Sequence, residues 1–146
     1  MTHFLKRVLI GLSLMALPVP AFALMPPQTY LMARAEAPRH VQIKIIKVVG
    51  PVNGAMGCMV HGRVIKTFRG DLKWGHRLTL KVDCNPPGGG FTGPQIYNAE
   101  ASLRAAKYAE VFLTADDPPE VMLWQFHIIK KASKRPRCNA QEWNCD

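Results

Sequence analysis

Acid is the scarce charge in this 146-residue chain: ten Asp and Glu stand against nineteen Lys and Arg, a formal charge of +9. Such a balance makes an acidic partner the natural counterpart. Serine is also rare. Beyond residue 23 there are only Ser102 and Ser133, and neither sits in a nucleophile-elbow context. None of the four cysteines forms a CxxC pair, which argues against a thioredoxin-like redox role or a zinc knuckle. His40, His61, His76 and His127 are scattered, without His-x-x-x-His spacing on a helix. Asp116 and Asp117 adjoin Pro118-Pro119 and read as turn formers rather than as a hydrolase carboxylate pair. No metal, cofactor or catalytic residue is therefore expected, and the chain is read as a non-enzyme.

Only one long apolar run exists, Val8 to Leu17. Lys6 and Arg7 precede it, and Ala21-Phe22-Ala23 follows. This is the layout of a secretory signal peptide over residues 1–23, cleaved after Ala23. The run is about half the roughly 20 residues that a membrane span requires. Export to the periplasm or beyond the cell is expected, with no transmembrane segment in the mature chain. Losing Lys6 and Arg7 brings the formal charge from +9 to +7. Apolar residues at 48 % and charged residues at 20 % fit one folded domain.

All four cysteines, Cys58, Cys84, Cys138 and Cys145, lie in the mature part. An even count in a small exported domain favours disulfides, and four cysteines allow three pairings. Residues 24–40 hold three prolines and no clear period, and read as an irregular leader. Val41 to Val49 alternates, then shifts phase at Ile46, which suggests a bulge. Met56 to Arg69 and His76 to Cys84 read as strands joined by a turn, with Gly62 marking a bend. If Val60 faces Val82, Gly62 faces Leu80 and Val64 faces Leu78, the apolar faces coincide and Cys58 meets Cys84. That register favours Cys58–Cys84, leaving Cys138–Cys145 to close a small loop.

Residues 85–94 form a glycine-rich loop that lacks the Lys-Ser or Lys-Thr of a phosphate cradle. Asn98 is placed to cap a short helix over 99–108. Strands are expected at 110–114 and 121–129, with Met122, Trp124, Phe126 and Ile128 on one core face. His61 and His127 fall on outward positions. The expected domain is 41–129, mainly β: a five-stranded OB-like barrel with one short helix between strands 3 and 4. Residues 130–146 follow as a basic tail containing Cys138 and Cys145.

Gly62-Arg63-Val64 leading into Lys66-Thr67-Phe68-Arg69-Gly70, then Gly75, Cys84 and Ala109 to Leu113, resembles the netrin-like and tissue-inhibitor-of-metalloproteinase group of exported OB-fold domains. The resemblance covers roughly residues 41 to 129 and implies protein binding, with protease inhibition as one form of it. Inhibitors of that group chelate the protease zinc with an N-terminal cysteine. Here the mature chain is expected to start at Leu24 and its first cysteine is Cys58, so the fold and partner binding are what carry over.

Basic residues fall in two groups. Arg63, Arg69, Arg77 and Lys81 are on the outward face of the central hairpin, with Lys66 and Lys73 nearby; Lys130, Lys131, Lys134, Arg135 and Arg137 are in the tail. These are the candidate contacts for an anionic partner. Nucleic acid is not expected, because the outward hairpin positions carry no aromatic on which bases could stack. The expected function is an exported binding module for a protein or envelope component, with anionic envelope polymers or lipids as the electrostatic variant.

Overall fold

Alternating apolar residues organise the chain into strands, and a computed structural model describes residues 26–51, 57–85, 97–138 and 145. In chain order the elements are α1 (Pro27–Glu36), β1 (Arg39–Val49), β2 (Cys58–Arg69), β3 (Arg77–Val82), β4 (Cys84–Asn85), β5 (Asn98–Ala99), α2 (Glu100–Ala105), β6 (Tyr108–Leu113) and β7 (Val121–Ile129). The protein is mainly β. Five strands form an antiparallel sheet in the order β3-β2-β1-β6-β7, and β4 and β5 form a separate parallel pair. The expected signal peptide, residues 1–23, and most of the glycine-rich loop lie outside the described residues.

One side of the sheet holds the main core. Val41, Ile43, Val60, Val64, Leu80, Val111 and Phe126 are all buried there. At the bulge, Ile45 pairs with Gly62 and Lys47 with His61, so Ile46 is left over and stands 56 % exposed. This is the phase shift visible in the sequence. Gly62 sits at a close approach of two strands: a Cβ there would lie 2.9 Å from Ile43 Cδ1 and 3.3 Å from the Lys44 carbonyl oxygen.

The β2–β3 register differs from expectation by two residues. Cys58 pairs with Val82, Val60 with Leu80 and Gly62 with Leu78. A slip of two leaves every side chain on its original face, so face matching cannot detect it. The cysteine pairing nevertheless stands. Cys84 has left β3 for β4, and its Cα lies 5.7 Å from that of Cys58. Cys138 and Cys145 form the second disulfide.

The sheet is not closed into a barrel. β3 and β7 are its two edges, with no ladder between them. The reason lies in β7, where Leu123 and Trp124 have φ of 36° and 59°. Two consecutive left-handed residues interrupt the extended edge that a closing ladder would need. Instead the Trp124 indole donates to Asp83 Oδ2 across the gap. The same kink reverses the expected alternation. Phe126 and Ile128 face the main core, whereas Met122 packs on the opposite side against Phe112 and Cys138.

Among the described residues there are two helices, not one, and neither lies between β3 and β4; counted along the five-stranded sheet alone, α2 falls between its third strand, β3, and its fourth, β6. α2 follows β5 and is shorter than expected, with Ala99 rather than Asn98 at its N-cap. Asn98 is instead held in the β4–β5 pair. The leader is not irregular, because α1 occupies Pro27–Glu36 with proline in its first turn. Tyr30, Ala33 and Arg34 form its buried stripe.

The disulfides differ in the loops they close, 26 against 7 residues of separation. By loop entropy, replacing Cys58 and Cys84 by alanine is expected to cost about 3.5 kcal/mol, and replacing the other pair about 2.4 kcal/mol. Urea denaturation of the two double variants measures this order.

Candidate anion-binding face

Among the described residues six polar or charged side chains are buried, and five of them gather on the side of the sheet away from the main core. Glu110, on β6, is fully buried. His40 Nε2 approaches its Oε1 at 2.7 Å, Gln42 donates to Oε2 at 2.7 Å, and the backbone amides of Arg137 and Cys138 donate at 2.9 Å. Burial pushes the Glu110 carboxyl up, but the bonds from His40, Arg137, Gln42 and Cys138 outweigh it and hold the group below the usual range. A carboxylate with this many donors is a structural anchor, not a free base.

Beside it, Arg34 is 1 % exposed, bonds to Gln125 Oε1 at 2.6 Å and lies over the Phe112 ring. His127 Nε2 is 3.2 Å from Arg34 and 2.9 Å from Gln125. Burial, then the Arg34 charge, push His127 down to about 4, so its imidazole is neutral. His127 thus leaves the solvated position expected for it. Its ring also lies near Cys138 and Cys145, a grouping of metal-ligand type. Both sulfurs are committed to the disulfide, which leaves one ligand only.

α1 and the first part of the tail therefore cover half of this outer side. Arg69, expected to face a partner, instead donates to the carbonyls of Arg34, Ala35 and Ala37 and closes the C-terminal end of α1. Ser133 donates its amide to Gln42 and accepts from the same side chain. With Arg137 and Cys138 on Glu110, the tail is tied to the sheet. Lys130, Lys131, Lys134 and Arg135 remain exposed along it.

The other half of the outer side is open and basic. Arg77 pairs with Arg63, and Arg63 pairs with Lys44, so three cations stand abreast on neighbouring strands. Strands lie about 4.8 Å apart, and like charges on directly opposed positions repel. Lys47, Lys66 and Lys81 extend the patch, all exposed, and His61 bonds to Thr79 within it. β1, β2 and β3 contain no Asp or Glu at all. Lys73 is exposed in the β2–β3 turn. The structure thus brings Arg63, Lys66, Arg77 and Lys81 onto one sheet, adds Lys44 and Lys47, and removes Arg69. The two added lysines alternate with apolar residues in the sequence of β1, but the β1–β2 pairing that places them was not readable there.

No protein-family model, curated protein or solved structure matches the chain. Among the described residues no helix is long and apolar enough to cross a membrane.

The buried cluster carries a pH dependence. Between 6.5 and about 4, the unfolded chain takes up a proton that folded His127 refuses. Stability therefore falls on acidification through that window, by up to about 3 kcal/mol, and levels off below it. Glu110 adds a second loss at lower pH, because its contribution is present above the ordinary carboxylate value and fades as pH drops through its lower folded value. Urea titrations across the window should show the slope in the wild type and lose most of it in His127→Gln. Glu110→Ala, which strands four buried donors, is expected to cost about 3–5 kcal/mol at neutral pH.

Proposed function

We propose that the protein is a non-enzymatic binding module of an exported, oxidising compartment, and that it holds an anionic partner on the open half of its sheet. The observation that carries the reading is the abreast row Arg77, Arg63 and Lys44. Opposed like charges cost stability, and here no acid on the same three strands offsets them. A partner bearing negative charge supplies what the fold omits. Two disulfides are consistent with an oxidising location.

The strand order and the side-chain contact between the two edges support a partly open, OB-like reading of the domain. In that fold the second and third strands commonly form the binding face, and here those strands carry Arg63, Lys66, Arg77 and Lys81. The carboxylate–histidine contact of Glu110 and His40 is sealed inside, with side-chain exposures of 0 % and 6 %, which favours structure over catalysis.

Retention on an immobilised soluble polyanion tests the reading. Binding is expected to weaken steeply with salt, and Arg63→Thr should lower affinity about tenfold, a loss near 1.4 kcal/mol. The same substitution should raise folding stability by a few tenths of a kcal/mol by relieving the repulsion. Salt-insensitive binding, or a loss of stability in Arg63→Thr, counts against it.

A further inference from the structure

The β2–β3 turn adds an apolar element to the edge of the basic sheet. Trp74 is 78 % exposed, the most exposed large hydrophobic residue of the described chain. It is not on a loose loop. Gly75 donates to the Val64 carbonyl at 2.8 Å, the Val64 amide donates to His76 at 2.8 Å, and His76 closes the turn on Lys73 at 3.1 Å. Leu72 is buried in the main core beneath it, and the Thr67 hydroxyl holds the Leu72 carbonyl. The fold spends a core residue and several hydrogen bonds on presenting a bare indole to water. Lys73 precedes it, and Arg77, three residues further along, begins the abreast row opposite Arg63.

Resting on the reading of the open face as an anion site, we propose that this face and the Lys73-Trp74 turn dock on the surface of an anionic lipid bilayer. An indole with one wet and one apolar side favours the headgroup boundary, and neighbouring lysines and arginines favour acidic headgroups. A soluble polyanion would match the charge but gives the indole nothing to enter. The exposed lysines of β1–β3 lie on a sheet face, a shape suited to a surface rather than to a buried ligand. Docking of this kind is peripheral and needs no spanning helix.

Cosedimentation of the disulfide-bonded protein with vesicles tests the inference. Phosphatidylcholine vesicles are compared with vesicles containing phosphatidylglycerol, and retention on immobilised heparin runs in parallel. The proposal expects binding to the phosphatidylglycerol vesicles and not to the phosphatidylcholine vesicles, weakened by salt, with a blue shift of tryptophan emission that Trp74→Phe removes. Trp74→Ser should weaken vesicle binding about tenfold and leave heparin retention unchanged; its exposure makes the substitution neutral for folding, which circular dichroism checks. Retention on heparin without vesicle binding overturns the lipid assignment while the anion-binding reading stands. Vesicle binding indifferent to Trp74→Ser also overturns it. Failure to bind either material overturns the anion-binding reading itself.

Discussion

A carboxylate buried in the middle of a sheet must find donors, and the arrangement of this protein follows from where Glu110 finds them. Two come from β1, as His40 and Gln42, and two from the backbone of Arg137 and Cys138. The second pair forces the chain beyond β7 to return across the sheet. That return seats Cys138 against Ala37 and Phe112. α1 then has a floor to lie on, with Arg34 over the Phe112 ring and within the field of Glu110. An uncompensated charge at this depth would be costly, so the covering layer and the buried acid depend on each other. The layer reaches only as far as its donors reach, and the remaining half of the sheet stays open.

How much of this was legible depends on what kind of signal each feature leaves. The bulge at Ile46 was visible because it breaks a period of two, and the cysteine pairing because both strands keep their faces under the wrong register as well as the right one. The register itself was invisible for the same reason. The second layer left almost no signal. His40, Gln42, Glu110, Gln125 and His127 occupy the polar positions of alternating strands, which read as solvated whenever only one face is assumed buried. Arg69 read as a surface cation because its partners are main-chain carbonyls, which have no side-chain signature. The open sheet leaves no signal in the sequence, because the left-handed pair Leu123 and Trp124 belongs to residue types that seldom adopt that conformation.

The candidate face was readable as a set of residues but not as a geometry. Alternation alone turns Arg63 and Arg77 outward, where both are exposed. That they stand directly opposite each other, with Lys44 beside them, required the register. The distinction matters physically. Separate surface cations repel weakly through water, whereas neighbours on paired positions cannot move apart without leaving their strands.

Scarcity of acid sharpens that consequence. Asp71 is paired with Arg39, Glu100 with Arg104, Asp83 holds the Trp124 indole, and Glu110 is interior. Asp116, Asp117 and Glu120 sit around the connection from β6 to β7, and Glu36 ends α1. The described acids are thus placed for structural bonds or gather at the β6–β7 connection, where Asp117 lines a cavity with Lys73 and Glu120 lines one with Lys81, but none occupies a position paired with Lys44, Arg63 or Arg77. A chain with more acid could neutralise its own sheet face by cross-strand pairs, as surface strands commonly do. This one sets no acid opposite Lys44, Arg63 or Arg77, so counterions from the solvent balance that row, and an anionic partner of the kind proposed would take their place.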